Sequence, residues 1–162
     1  MTQDTHHSDV HRKLRIKVVT VSSTRNINND ESGKILEEKL GFHNISREVV
    51  RDDPVRILSA IFSKWDDFDA FVLNGGTGIS KYDVTTNTLR RIADKEIPGF
   101  GELFRRMGES DAGVFSYLSG AGMFIVYGKP IFSLPGAPSA QPIGASLILD
   151  ILDHVFHEIT KE

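Results

Sequence analysis

The chain has 162 residues, 40% of them hydrophobic, with a formal net charge of −3 and no cysteine. That length fits one domain that buries its core without staples, and the missing thiols exclude disulfides, thiolate zinc sites and a cysteine nucleophile. Charges are mixed along the chain with no basic stripe, which speaks against a nucleic-acid partner, and no apolar run approaches the ~20 residues that a bilayer span needs. The opening MTQDTHHSDVHRK lacks the apolar core of a signal peptide, so no membrane partner and a cytoplasmic protein are expected. Residues 1–13 read as a disordered tail whose His6, His7 and His11 are solvated, and 14–162 as one domain.

Leu14 to Val21, LRIKVVTV, is rich in β-branched residues and predicts a strand. After the polar loop STRNINND, Asp30 caps a helix from about Glu31 to Leu40, and Gly41 stops it. Ile45 to Val50 predicts a second strand. Asp53-Pro54 then opens a helix, with aspartate at the cap and proline at the first helical position. Leu58, Ile61, Phe62 and Trp65 are read as its apolar face. Ala70 to Leu73 is a short, wholly apolar strand, as the centre of a parallel sheet requires. The loop NGGTGISKYDVT follows, and Thr85 is read as the cap of a helix carrying Leu89, Ile92 and Ala93. Pro98-Gly99 breaks that helix, and a further helical stretch runs from about Phe100 to Met107. MFIVY and PIFSL, separated by Gly128-Lys129, predict an antiparallel hairpin. Ile148, Ile151, Leu152, Val155 and Ile159 mark an amphipathic C-terminal helix. The alternation predicts a three-layer α/β/α sandwich, its sheet mostly parallel with one antiparallel strand.

In such a sheet, ligands bind beyond the carboxyl ends of the strands. The segments SSTRN, RDD, NGGTGISKYD and PGAPS all fall at that edge. Glycines let backbone amides point at a ligand unobstructed, and Thr77, Ser80 and Thr85 add hydroxyls beside a helix start, a donor set suited to phosphate. The other reading is a plain glycine turn followed by a cap. Neither GxxxxGK[ST] nor GxGxxG after the first strand is present, so a P-loop and a Rossmann dehydrogenase are not supported. Asp83 beside a phosphate cradle calls for an intervening cation such as Mg²⁺, unless it only caps the next helix. Capping accounts for Asp53, which leaves Asp52 as the candidate second acid. His154 and His157 read as surface residues, and His43 shows no pairing pattern.

GGTG-x4-DVT, PGFGE at 98–102 and LPGAPSA at 134–140, taken in that order, resemble the MogA/MoaB family of molybdenum cofactor biosynthesis, over about Leu14 to Ile159. The compact length is more like the MoaB branch. The resemblance implies a molybdopterin-binding fold and a Mg²⁺- and ATP-dependent adenylylation of molybdopterin, or a non-catalytic binding and assembly role on the same fold. It implies Asp52 and Asp83 as the important aspartates, with Asp83 toward Mg²⁺, and Gly75, Gly76, Thr77 and Gly78 as the glycine loop. Ser22, Thr85, Ser119, Pro135 and Gly136 match further positions near the pocket, and Glu102 another acidic one. It also implies homotrimers or hexamers. Phe100, Phe104, Met107, Phe115 and Tyr117 are read as exposed apolar surface fit for such an interface. Four positions depart from the pattern: Asn74 for threonine or serine, Tyr82 for arginine, Thr86 for proline, and Gly120 for arginine. Two phosphate-binding guanidinium groups are thus missing, and Lys81, Lys129, Arg25 and Arg91 are the candidates to replace them.

Overall fold

The computed structural model describes residues 12–161. The readings for His6, His7 and His11 lie outside them, while Arg12, assigned above to a disordered tail, sets its guanidinium 4.9 Å from the centre of the Phe156 ring. In chain order the elements are β1 (Arg15–Val21), α1 (Glu31–Lys39), β2 (Asn44–Val50), α2 (Pro54–Phe62), β3 (Ala70–Asn74), α3 (Thr85–Ile92), β4 (Lys95–Glu96), α4 (Pro98–Ala112), β5 (Gly122–Val126), β6 (Lys129–Leu134) and α5 (Gln141–Thr160). Single 3₁₀ segments occupy Trp65–Asp67, Gly113–Leu118 and Pro138–Ala140.

The strands form one sheet in the order β2-β1-β3-β6-β5-β4, with β5 antiparallel to both of its neighbours. The alternation of side chains along β1 and β3 sorts the two helical layers. Ile16, Val18, Ala70 and Val72 face α1, α4 and α5, where Leu36, Phe104 and Ile148 pack on them. Val19, Val21, Phe71 and Leu73 face α2 and α3, where Ile57, Ile61 and Leu89 close the second core. Both sides of β3 are therefore covered, which is why all five of its residues are buried. The predicted three-layer sandwich is the fold observed.

Local chemistry sets the boundaries. The Asp30 carboxylate accepts from the Gly33 amide at 3.0 Å, and Asp53 from the Val55 amide at 2.8 Å, so each begins its helix as read. Tyr127 (φ 43°) and Gly128 (φ 77°) turn β5 into β6, the double positive φ that matches the twist of a two-residue hairpin. Lys129 is therefore the first residue of β6 and not part of the turn.

Several expectations need correction. The buried face of α2 is Ile57, Ala60 and Ile61; Phe62 is exposed, and Trp65 has left the helix. Thr85 is not a cap: Val84 holds that position without a side-chain bond, and Thr85 is the first helical residue. α4 starts at Pro98 and runs past Met107 to Ala112. Phe100 and Phe104 are buried rather than exposed, Phe100 with its ring 5.2 Å from that of Phe132. The two-residue β4 was not anticipated.

Candidate functional site

The chain passes from β1 to β2 on one side and reaches β3 on the other, so the strand order reverses at β1 and β3, where open α/β sheets place their ligands. A cavity of about 820 Å³ opens there, at the carboxyl ends of β1, β3 and β6. Its walls gather most of the residues singled out above: Ser22, Asp52, Gly75, Gly76, Thr77, Gly78, Asp83, Ser119, Pro135 and Gly136. Thr85, Ser80 and Glu102 are outside the lining: Thr85 is buried beneath the turn, while Ser80 on the loop and Glu102 on α4 are exposed.

The floor is the turn after β3. Gly75 (φ 91°) and Gly76 (φ 68°) hold backbone that L residues rarely adopt. A Cβ at 75 would meet the Val21 carbonyl oxygen, and one at 76 the Thr85 hydroxyl. Thr85 explains itself here: its hydroxyl donates to the Gly75 carbonyl at 2.8 Å and its amide to the Gly76 carbonyl at 2.9 Å. It supports the turn from beneath. The Gly75 amide is spent on the Leu134 carbonyl, at 3.0 Å.

Asp83 folds back onto the same loop. Its Oδ2 accepts from the Ser80 amide at 2.9 Å, and a Cβ at Gly78 would lie 2.8 Å from that oxygen. Partial burial pushes the Asp83 carboxyl up, but the Ser80 hydroxyl and the amides of Ser80 and Gly78 together hold it below the usual carboxylate value. Asp83 thus stays ionised and staples the loop; it does not cap α3.

On the opposite wall, Asp52 Oδ2 accepts from the Ser23 hydroxyl at 2.8 Å, and the Asp52 amide donates back to Ser23 Oγ at 3.3 Å. Neighbouring Asp53 stays on its helix cap, outside the cavity lining. Ser22 Oγ accepts the amides of Thr24 and Arg25, which curls this loop toward the cavity. Arg25 Nη1 donates to Ser32 Oγ and to the Gly136 carbonyl, both at 3.2 Å.

Two of the departures noted in the sequence are one structural unit. The Gly120 amide donates to the Thr77 carbonyl at 2.7 Å, and the Thr86 hydroxyl donates to the Gly120 carbonyl at 2.8 Å. A Cβ at 120 would stand 2.8 Å from Thr86 Oγ1 and 3.0 Å from the Thr77 oxygen. With Thr86 in place, position 120 has no room for an arginine. Asn74 is fully buried; its Nδ2 donates to Thr20 Oγ1 at 2.9 Å, and its Oδ1 has no partner among the described residues. Thr20 in turn donates to Asp30, which pairs with Arg47. A polar chain thereby links the cavity floor to the start of α1.

Of the candidate replacement cations, Lys129 is committed elsewhere, donating to the carbonyls of Trp65 and Phe68 at 2.6 and 2.8 Å. Lys81 rests 5.1 Å from the Tyr82 ring centre, and Arg91 is exposed on α3. The cavity lining holds one cation, Arg25, against two carboxylates, Asp52 and Asp83. Sequence reasoning missed Ser23, whose partner lies 29 residues away, and the rim formed by Tyr82, Phe115 and Leu118. Sequence reasoning assigns Phe115 to oligomer surface alone and does not single out Leu118.

Residues 17–154 match the family model described as a probable molybdopterin binding domain. The chain is 37% identical over 169 residues to molybdenum cofactor biosynthesis protein B of Bacillus cereus, covering all of both. It is 35% identical to the protein of that name from Bacillus subtilis, covering 100% of this chain and 99% of the relative. A crystal structure of a molybdenum cofactor biosynthesis protein B superposes with a TM-score of 0.88 at 38% identity, over 93% of this chain and 98% of the other. The tungsten cofactor synthesizing protein MoaB from Pyrococcus furiosus does so with a TM-score of 0.84 at 28% identity, over 93% and 99%.

Proposed function

The chain belongs to the molybdopterin-binding domain family and acts in molybdenum cofactor biosynthesis, and we propose that its step is the Mg²⁺- and ATP-dependent adenylylation of molybdopterin. The observation that carries this reading is the meeting of Asp52 and Asp83 in one cavity whose floor is a glycine turn. In the reaction, a terminal phosphate oxygen of molybdopterin forms a bond to the α-phosphorus of ATP, the α–β P–O bond breaks, and pyrophosphate leaves. The nucleophile is already anionic, so the protein needs no serine or cysteine of its own. Its work is to position two polyanions and offset their charge.

The residues present fit Mg²⁺. Such an ion is usually held by one or two carboxylates together with the substrate's phosphates, and the described residues offer that pair but no cluster of three metal-binding side chains. Held by Asp83 and the substrate phosphates, it would screen those phosphates from the carboxylates and stabilise charge developing on the oxygens of the transferred phosphoryl group. Ser23 fixes the Asp52 carboxylate through Oδ2, and no protein donor among the described residues reaches Oδ1. Despite partial burial, the Ser80 hydroxyl and the amides of Ser80 and Gly78 hold the Asp83 carboxyl below its ordinary value, so it meets a cation as a carboxylate at neutral pH. The exposed rings of Tyr82 and Phe115 supply planar apolar surface at the rim for a pterin or an adenine.

The purified protein given molybdopterin, ATP and Mg²⁺ is expected to release pyrophosphate in step with consumption of the pterin. Tight molybdopterin binding without pyrophosphate release would favour the second reading, a non-catalytic carrier on the same fold. What favours that carrier is the absence of a guanidinium at 82 and 120. A threefold-symmetric homo-oligomer is also proposed, on the exposed Met107, Val114, Phe115, Tyr117 and Leu118. A monomer in light scattering at micromolar concentration would overturn it.

A further inference from the structure

We propose that Arg25 forms, with the amides of Gly76 and Thr77, a subsite for a phosphate-type anion at the β1 side of the cavity. The proposal deepens the reading above and rests only on its anion-binding part.

Asp83 has already claimed part of the loop. The Ser80 amide donates to its carboxylate, Gly78 packs against the same carboxylate with a Cβ position 2.8 Å from Oδ2, and the Gly75 amide is spent on Leu134. The Gly75 amide is closed to a ligand, and the Ser80 amide is closed unless Asp83 moves. Among the described residues, the amides of Gly76 and Thr77 donate to no protein group. An anion approaching this turn therefore meets free donors at 76 and 77, one residue nearer β3 than the part of the loop that Asp83 fills.

Arg25, Gly76 and Thr77 line the same cavity, and Gly136 connects the Arg25 wall to the glycine turn. Its Nη1 donates to the Gly136 carbonyl, and a Cβ built on Gly136 would lie 3.2 Å from Gly75 Cα. The guanidinium is half-buried and lines the cavity, yet among the described residues no carboxylate lies within ion-pair distance of it. Both of its bonds among the described residues use Nη1, and Nε and Nη2 donate to none of those residues. Holding an unpaired cation partly out of water is costly, and a phosphate offsets that cost through the planar, two-pronged geometry that guanidinium offers. Tyr82 in the lining and Gly120, next in sequence to the lining residue Ser119, carry no cation, so Arg25 is the cation in the lining.

Inorganic pyrophosphate with Mg²⁺, titrated calorimetrically into the intact chain, tests this. The wild-type protein is expected to bind it, and Arg25→Gln to bind it roughly ten- to hundredfold more weakly, as loss of hydrogen bonds to a charged group implies. Because glutamine keeps an amide donor for Gly136, the melting temperature without ligand should stay within a few degrees. Pyrophosphate binding by Arg25→Gln equal to wild type overturns the subsite. If Arg25→Gln fails to fold, Arg25→Lys decides: it keeps the charge but not the fork, and is expected to lose at least about threefold in affinity. Undiminished binding by a folded Arg25→Lys overturns the proposal. Failure of pyrophosphate release from ATP with pyrophosphate binding intact would instead count against the adenylylation reading alone.

Discussion

Two glycine turns leave the centre of the sheet at opposite edges, and they are built for different ends. Tyr127-Gly128 joins β5 to β6 at the amino edge of β6, and Gly75-Gly76 leaves β3 at its carboxyl edge. Both use paired positive φ values. At the hairpin, a Cβ on Gly128 would find only the Ile159 methyl, at 3.9 Å. At the β3 turn, both Cβ positions are filled by other atoms, the Val21 carbonyl and the Thr85 hydroxyl. The hairpin needs glycine for its backbone twist alone. The β3 turn needs it for twist and for close approach, and it keeps amides unpaired at the switch point of the sheet. The exposed hairpin can leave an amide to water, but Thr77 is buried and Gly76 half-buried, where an unpaired amide is costly.

Substitution should separate the two most sharply at Gly76. Gly76→Ala adds left-handed strain and pushes into Thr85 Oγ1, which itself holds the Gly75 carbonyl. The expected cost is about 3 kcal/mol or more, a fall in melting temperature of roughly 6–12 °C for a chain of this size, with loss of pyrophosphate binding. Thermal denaturation followed by circular dichroism checks it; a melting temperature within 2–3 °C of wild type would mean that the two turns differ less than their packing says.

Asp83→Asn probes function at the same turn with little change of shape. Asparagine keeps a carbonyl oxygen for the Ser80 amide, so the fold should survive. Adenylylation should fall by roughly a hundredfold or more, as when a charge-stabilising group leaves an active site. Binding of molybdopterin should persist, since one repelling charge has gone. Normal turnover would reduce Asp83 to a staple for the loop.

Much of this architecture was legible in the chain because local chemistry and tertiary packing agree there. β-branched runs became β1 and β2, and Asp30 and Asp53-Pro54 sit where capping predicts. The wholly apolar Ala70–Leu73 lies between two helical layers. Misreadings fell where tertiary partners decide. Thr85 looks like a cap by residue type, but the Gly75 carbonyl claims its hydroxyl. Phe100 and Phe104 follow a helix breaker and looked stranded, yet Pro98 begins α4 and turns both onto the core. β4 has two exposed charged residues and no alternation to read; pairing with β5, flanked by bonds from the Asp94 and Ile97 amides, makes it a strand. Elimination singled out Asp52, which lines the cavity, but not its partner Ser23, because no spacing rule links positions 23 and 52. Arg25 was named only as one of four possible cations, and the choice needed the positions of Lys129, Arg91 and Lys81.

At the hairpin, Gly128→Ala should cost only the backbone term, about 1 kcal/mol, or roughly 2–4 °C in melting temperature. Pyrophosphate binding should not change. A fall as large as that of Gly76→Ala would show that the open space beside Gly128 is not what limits substitution there.

The smallest expected effect is a dependence on acid that belongs to the β3 turn. In the folded protein, the Ser80 and Gly78 donors hold the Asp83 carboxyl below its ordinary value despite partial burial. The unfolded chain releases those donors, and the carboxyl returns to about 3.9. Below about pH 4 the unfolded state therefore binds a proton that the folded state still refuses. The stability that Asp83 contributes is fully present above that point and is lost as pH falls through its folded value. Asp83→Asn removes the titrating group but leaves an acceptor, so the stability curves of the two proteins should run parallel at neutral pH. Below about pH 4 they should converge, the wild type losing the additional increment. Gly128→Ala leaves Asp83 in place and should keep the full wild-type acid slope, offset by a constant. Chemical denaturation at a series of pH values resolves the two patterns. Parallel curves for wild type and Asp83→Asn down to pH 2 would mean that Asp83 is bound to the loop amides no more tightly than to water, and the turn would then lose its claim to an anion-holding backbone.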